Sequence, residues 1–348
     1  MKRSTVLFLI AAVCAVVPTG AAPTFLRVLT HSSFAATPSV IAAFEASNNA
    51  KVQFTAGGDG GETLNKAILA KSNPLADVLY GVDNTFMSRA LAAGILEPYD
   101  SPRLSSIPAD LNLDPSHRLL PVDFGFISLN YDRKYFADKG LAVPRTLEDL
   151  ALPLYKGLLV VENPATSSPG LAFLIATIAR FGDRSPTTWQ TYWADLRKND
   201  VLVVNGWEEA YYNEFSEQGK GRRPIVVSYA TSPAYELYSA ADPKPAEPPT
   251  GNIIPEGSSF RQVEFVGILK GAKEPALARA FVDFMLDVAF QSDIPLQMWV
   301  YPTNRAAAIP DLFRKFAPVP ATPANIDPAT IDAQRDTWIK AWTQIVLK

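Results

Sequence analysis

Aromatic side chains recur at the ends of predicted strands. Trp207 follows a strand and a glycine, Tyr229 ends an apolar strand, and Tyr235 follows a Ser-Pro helix start. Trp299 and Tyr301 lie together in a short segment further along the chain. Rings that converge on one cleft can hold a flat or cationic ligand, and a cation over one such face is stabilised by about 0.5–2 kcal/mol. Any single ring could equally fill a core, but the set together indicates an aromatic binding cleft.

A polar segment, residues 163–170, follows a predicted strand and opens a predicted helix. It carries the consecutive hydroxyls of Thr166, Ser167 and Ser168. Hydroxyls and free backbone N–H groups at a helix N-terminus bind anions. An ordinary N-cap by Ser168, with Pro169 in the first turn, accounts for the same pattern. The sequence leaves both interpretations open.

Residues 57–61 form a glycine-rich turn that presents Asp59. The turn lacks the Lys-Ser/Thr ending of a nucleotide P-loop. We therefore interpret it as a backbone turn whose carboxylate either pairs with a cation or an aminopyrimidine or faces solvent.

Residues suited to catalysis are scarce. The two histidines, His31 and His117, belong to no metal-binding spacing, and no Gly-x-Ser-x-Gly motif occurs. Cys14 is the only cysteine, and it lies in an N-terminal apolar segment that we expect to be removed. A mature chain without a thiol can have neither disulfides nor cysteine ligands or nucleophiles. We therefore expect no enzyme activity.

The order of elements predicts an α/β fold. Strands are predicted over residues 25–30, 52–55, 77–81, 125–130, 158–161, 201–204, 225–229 and 263–270, with helices between them, including one over 208–218. Such alternation favours mostly parallel sheets covered by helices. Ligands of these sheets bind outside the carboxyl ends of strands, where the aromatic and polar residues above are predicted to lie.

Composition narrows the class of protein. The chain has 348 residues, long enough for two lobes, and a net charge of −3, which argues against nucleic acid as a partner. Lys2 and Arg3 precede an apolar run over residues 5–17 that ends in Pro-Thr-Gly-Ala-Ala. This pattern predicts a signal peptide over residues 1–22, too short for a membrane span. A lipid-bearing Cys14 is the alternative, although Val13 is larger than such cleavage sites normally accept.

Five segments in order resemble the thiamine-binding protein family of bacterial ABC importers: residues 77–84, 166–171, 206–211, 228–235 and 299–302. The similarity covers about residues 26–345. It implies a two-lobed type II periplasmic-binding-protein fold with the ligand cleft between the lobes. The first lobe is expected over residues 23–124, the second over 125–262, and a return to the first over 263–348.

The resemblance also implies roles for single residues. Trp207 and Tyr235 would enclose the ligand rings, and Asp59 matches an acidic residue that the family uses near the ligand. His31 stands where the family has a tyrosine, so an imidazole replaces a phenol there. A phosphate of the ligand would be held by Thr166, Ser167 and Ser168, helped by Tyr229, Trp299 and Tyr301.

The expected function is capture of thiamine, and of its mono- and diphosphate, outside the cytoplasm for a membrane permease. The protein is expected to be a monomer without a cofactor or metal. Three other functions are alternatives. A thiaminase of the same fold needs a cysteine nucleophile, which the mature chain lacks. A ferric-ion-binding protein would use Tyr211, Tyr212 and His31, and a phosphonate or small-anion binder would use residues 166–170.

Overall fold

A computed structural model describes residues 22–184, 186–218 and 221–348. The predicted signal peptide, apart from Ala22, lies outside the described residues. The strands are β1 (Thr24–Thr30), β2 (Ala50–Ala56), β3 (Val78–Asp83), β4 (Leu96–Glu97), β5 (Leu120–Asp132), β6 (Leu159–Glu162), β7 (Leu202–Val204), β8 (Ile225–Tyr229), β9 (Thr250–Ile253), β10 (Phe260–Leu269) and β11 (Tyr301–Pro302).

The α-helices are α1 (Pro38–Asn48), α2 (Gly60–Leu69), α3 (Met87–Ala93), α4 (Arg133–Lys139), α5 (Ser168–Phe181), α6 (Trp189–Lys198), α7 (Ser232–Ser239), α8 (Pro275–Leu286), α9 (Val288–Gln291), α10 (Ile294–Gln297), α11 (Asp311–Phe316) and α12 (Pro328–Val346). Short 3-10 helices cover Pro102–Ser106, Glu148–Ala151 and Pro153–Tyr155. Within the described residues, no helix combines the length and the apolar character that crossing a membrane requires.

The strands form one curled, mixed sheet in the order β2-β1-β3-β10-β5-β8-β6-β7. Two parallel groups, β2-β1-β3 and β8-β6-β7, confirm the predicted α/β alternation. The long strands β5 and β10 lie between these groups and pair antiparallel with each other and with both neighbours. Alternation alone did not predict this antiparallel centre. The predicted lobe boundaries, at residues 124/125 and 262/263, fall within β5 and β10, and they stay predictions.

Buried apolar faces account for the helices on this sheet. Helix α5 is buried along almost its whole length, and α8 packs Phe281 and Met285 into the core beside β1 and β3. Helix α12 packs on α6, where the rings of Trp342 and Trp193 meet edge to face at 5.5 Å. Residues 263–348 therefore pack on β1 and β3 through α8 and on α6 through α12.

One local expectation was wrong. The predicted α-helix over residues 208–218 is a π-helix, Glu209–Glu214, in which the Phe215 N–H bonds the Ala210 carbonyl at 2.9 Å. The wider turn places Tyr211 and Phe215 in one buried apolar cluster, and such turns frequently occur at functional sites. Thr37 lies at the N-cap of α1, but its hydroxyl donates to Asp293 at 2.6 Å instead of capping the helix.

Candidate functional site

A cavity of about 600 Å³ lies where the turns after several strands converge. It is bounded by the turns that follow β1, β2, β6, β7 and β8, by β10, and by the segment before β11. This position agrees with the rule that open α/β sheets bind ligands beyond the carboxyl ends of their strands. The volume is suitable for a small organic molecule.

One wall of the cleft is built on Trp207. Its indole stacks on Tyr211 with the ring centroids 4.9 Å apart and an interplanar angle of 19°. The indole N–H donates to the Ser228 hydroxyl at 2.8 Å, and Tyr229 meets the indole edge-on at 6.1 Å. Tyr211 thus covers one face of the half-buried indole and fixes the plane of the ring.

A second wall is built on Trp299 and Tyr235, whose rings meet at 5.2 Å. Trp299 has a positive φ of 57°, an uncommon conformation for a large side chain. Its carbonyl accepts a 2.6 Å bond from the Thr231 hydroxyl, and its ring stacks on Phe313 at 5.9 Å. Surrounding contacts therefore hold a conformation that costs about 1–3 kcal/mol, as is common at binding sites.

Asp59, in the turn before α2, contacts the segments that follow β6 and β7. As the N-cap of α2 it accepts the Gly60 N–H at 2.6 Å. It also accepts the N–H of Ser168, at the start of α5, at 3.3 Å and the N–H of Trp207, after β7, at 2.9 Å. Burial raises the pKa of the Asp59 carboxyl, although the backbone donors oppose that rise.

The turn before α2 can approach the start of α5 closely because residue 60 is glycine. A Cβ at Gly60 would overlap the Ser168 hydroxyl and lie 3.0 Å from the Gly81 carbonyl. The Glu62 N–H, one residue beyond Gly61, donates to the Thr166 carbonyl at 3.1 Å. Backbone contacts therefore hold α2 directly against the start of α5.

A buried ion pair forms the floor of the cleft. The His31 Nε2 lies 3.4 Å from the Glu264 carboxylate, and Gly81, at φ +93°, leaves the space that the imidazole occupies. Burial opposes the charged form of His31, but the Glu264 carboxylate outweighs it and raises the pKa of His31. Burial likewise opposes ionisation of Glu264, and the imidazole and the Tyr80 hydroxyl lower the pKa of Glu264 below its usual value.

Further acids lie behind this pair. The Tyr80 hydroxyl donates to Asp123 at 2.5 Å and to Glu264 at 3.2 Å. Burial and the Glu264 charge raise the pKa of Asp123 well above its usual value. Burial raises the pKa of Asp83 to about 7. Glu264, paired with His31, therefore lies beside acids whose ionisation is disfavoured.

Seven of the ten predicted site residues line the cleft: His31, Asp59, Ser168, Trp207, Tyr229, Tyr235 and Trp299. The other three do not line it. The Thr166 hydroxyl donates to the Asn205 carbonyl at 2.7 Å, and Ser167 rather than Ser168 is the N-cap of α5. The Tyr301 hydroxyl donates to the Ala317 carbonyl at 2.6 Å, within a neighbouring apolar cluster. Their roles as ligand contacts stay predictions.

Sequence reasoning did not identify Glu264, Gln262, Glu208 or Glu209, which also line the cleft. Glu264 had a signal, because it is a charged residue between Val263 and Phe265 within an apolar strand. A buried charge in such a strand needs a partner. No group of three or more His, Cys, Asp or Glu side chains in the described part of the chain is arranged to hold a metal ion.

A mixed sheet with an interior cleft at its strand ends defines the class of periplasmic binding proteins, and solved structures agree. The structure is similar to one titled periplasmic thiamin binding protein, with a TM-score of 0.79 and 31% identity over 93% of this chain and 96% of that one. It also resembles a ferric binding protein from Campylobacter jejuni, at a TM-score of 0.73 and 20% identity over 92% and 99% of the chains. At that identity the second likeness shows the fold alone.

The family follows from the sequence comparisons. Residues 73–323 match the family model described as bacterial extracellular solute-binding protein. The chain is 33% identical to the thiamine-binding periplasmic protein of Escherichia coli K12, over 92% of this chain and 93% of the relative. The chain therefore belongs to the bacterial extracellular solute-binding proteins, a family of transport proteins.

Proposed function

We propose that this protein captures thiamine outside the cytoplasmic membrane and delivers it to the permease of an ABC importer, with thiamine phosphates as further candidate ligands. Export by the predicted signal peptide, action as a monomer and the absence of a cofactor or enzyme activity belong to the same proposal. The observation that supports it most directly is a cleft with aromatic walls and an acidic floor. Relatives with the name thiamine-binding periplasmic protein, similar over nearly the full length, add to this support.

The geometry suits thiamine's two rings and its fixed positive charge. Trp207 on one wall and Tyr235 with Trp299 on the other provide aromatic faces about the cavity. Such faces attract a cationic thiazolium. Asp59 and Glu264 provide acceptors and negative charge for the aminopyrimidine and the cation. His31 and Glu264 neutralise each other when both are charged, so a protonated imidazole does not leave the cleft positive.

Ferric-ion binding is less well supported. The predicted ligand Tyr211 is fully buried, and its hydroxyl donates to Glu236. Burial and the Glu236 charge raise the pKa of Tyr211 well above its usual value, which opposes the tyrosinate that iron requires. The rings of Tyr211 and Tyr212 meet edge to face, at 89°.

Titration calorimetry on refolded, ligand-stripped mature protein tests the proposal. We expect sub-micromolar binding of thiamine and no displacement of thiamine by ferric citrate. Absence of binding to thiamine and to both of its phosphates would refute the proposed function. Tight ferric binding that thiamine does not compete with would support the iron alternative instead.

A further inference from the structure

We propose that a second cavity, on the opposite face of the central strand pair β5–β10 from the cleft, binds a small carboxylate with an aromatic or branched aliphatic body. This reverse cavity has a volume of about 430 Å³, which is suitable for a small organic molecule. It is lined by the loop before β5, by β5 and β10, and by the chain from β11 to residue 319. The inference concerns a different site from the cleft and does not depend on which ligand the cleft binds.

The two cavities lie back to back on β5 and β10. Phe124 and Phe126 of β5 line the reverse cavity, whereas a Cβ on Gly125 would lie 3.0 Å from a ring that lines the cleft. On β10, Arg261 lines the reverse cavity and Gln262 lines the cleft. Successive side chains of a strand point to opposite faces of its sheet. A ligand in the reverse cavity therefore does not occupy the space of a ligand in the cleft.

The walls of the reverse cavity are mostly apolar. Phe124 stacks on Tyr301 with the ring centroids 5.3 Å apart, and it meets Phe126 edge to face at 6.2 Å. Leu111 and Ile309 add aliphatic surface. Rings that are already held by their neighbours lose little freedom when a ligand packs on them. These walls suit a flat ring or a branched aliphatic chain.

Arg305 provides the reverse cavity with a positive charge. Its side chain is exposed, and it has no hydrogen bond or ion pair with the part of the chain that the structure describes. The backbone that carries it is fixed, because the Arg305 N–H donates to the Ser106 carbonyl at 3.2 Å and the buried Asn304 side chain donates to the Leu286 carbonyl at 2.9 Å. A guanidinium presents a planar set of donors that matches a carboxylate. The free cation is therefore anchored at the edge of the cavity.

Arg261 supplies further donors. Its guanidinium donates to the Asp110 carboxylate at 2.8 Å and to the Asp110 carbonyl at 3.1 Å, and these bonds use only part of the five N–H groups of a guanidinium. The charged residues among the described ones that line the cavity are two arginines and one aspartate, for a net charge of +1. The cleft differs in sign, because the described residues that line it include five acids and neither lysine nor arginine.

The combination of walls and charge selects one chemical class of ligand. Burial of a ring or a branched chain against the apolar walls is favourable by about 25 cal/mol for each Å² of apolar surface removed from water. A carboxylate can accept charge-assisted bonds from a guanidinium, which are about twice as strong as bonds between neutral groups. A cation would be repelled by Arg305. We therefore expect the reverse cavity to prefer an aromatic monocarboxylate to a neutral or cationic molecule of the same shape.

Three probes with the same ring system test this preference: the anion indole-3-acetate, the neutral indole-3-ethanol and the cation tryptamine. Each is titrated calorimetrically into the wild-type protein, once without thiamine and once with saturating thiamine, which blocks the cleft. With thiamine present, indole-3-acetate should bind at least about ten-fold more tightly than either of the other probes, because only it forms charge-assisted bonds. Absence of indole-3-acetate binding, or binding that saturating thiamine abolishes, would overturn the inference.

Arg305→Gln locates the carboxylate of the probe. The variant should raise the dissociation constant of indole-3-acetate at least about five-fold and leave that of indole-3-ethanol unchanged, because only the carboxylate depends on the guanidinium charge. Arg145→Gln changes an exposed arginine that lines neither cavity, so it is the matched control and should bind both probes as the wild type does. The Arg305 side chain is exposed, so the variant is expected to fold, which circular dichroism checks. An unaltered dissociation constant for indole-3-acetate in Arg305→Gln would refute the anion site.

The outcomes separate the reverse cavity from the proposed function. If thiamine binds and indole-3-acetate does not, only the reverse cavity is refuted. If thiamine does not bind, the proposed function fails, and the comparison of Arg305→Gln with Arg145→Gln in the titration without thiamine still decides whether the reverse cavity holds a carboxylate.

Discussion

Truncation of Trp207 tests the aromatic wall of the cleft. In Trp207→Ala the ring that stacks on Tyr211 and donates to Ser228 is lost. The backbone N–H of residue 207 remains and can still donate to Asp59, so this hydrogen bond survives. The change therefore removes the indole ring without removing the hydrogen bond between residue 207 and Asp59.

The magnitude follows from what the ring contributes. A cation over an aromatic face is worth about 0.5–2 kcal/mol, and aromatic stacking adds about 0.5–1.5 kcal/mol beyond area burial. Because the two contributions overlap, we expect a loss of about 1–3 kcal/mol, or about 5- to 150-fold in the dissociation constant for thiamine. Trp207→Phe keeps a ring over Tyr211 and loses the bond to Ser228, so its loss should be the smaller of the two.

Titration calorimetry on both variants and the wild-type protein measures these losses, with circular dichroism to confirm folding. Phe25→Ala is a matched control, because Phe25 is 53% exposed and does not line the cleft. It should bind thiamine as the wild-type protein does. Binding by Trp207→Ala within two-fold of wild type would show that the ligand does not contact this ring, and the placement of the site would be wrong.

Two further predictions concern buried acids. His31→Asn should destabilise the fold by about 3 kcal/mol, since it leaves the buried Glu264 without its ion partner. Because the pKa of His31 is raised in the folded protein, the stability that the wild type gains from this pair should be full below the ordinary histidine pKa. That stability should be lost as the pH rises through the raised pKa of His31. His117→Asn, at the exposed pair with Asp100, should cost less than about 1 kcal/mol when thermal melts compare both variants with the wild type. Equal losses of stability in the two variants would contradict the stabilising role of the buried His31–Glu264 pair. Burial raises the pKa of Glu236 to about 9, so the wild type should lose stability as pH rises from about 4.5 to 9. Glu236→Gln should flatten this slope in melts over that range, and an unaltered slope would show that Glu236 does not titrate as described.

Much of the fold was predictable from local signals. Apolar runs placed most strands, including β8 (Ile225–Tyr229), because burial of one face and fixed backbone preferences act over a few residues. The π-helix at Glu209–Glu214 was not predictable in this way. Its extra residue per turn is fixed by burial of Tyr211 and Phe215 against strands distant in sequence.

The candidate site was likewise only partly predictable from local signals. The aromatic residues could be identified because their types and strand-end positions are local, and Trp207, Tyr235 and Trp299 do line one cleft. Glu264 was missed because its importance comes from His31, which is more than 200 residues away in sequence and 3.4 Å away in space.

The sequence by itself determined the class of residues available for binding: aromatic rings and acids at strand ends, one cysteine, and two histidines. Only the tertiary structure decided how the polar segment before α5 is used. The sequence did not indicate that the Ser168 N–H at the start of α5 donates to Asp59, which is more than 100 residues earlier in the chain. Backbone N–H groups bind whichever acceptor the fold brings to them, and here the fold brings a carboxylate of the protein itself.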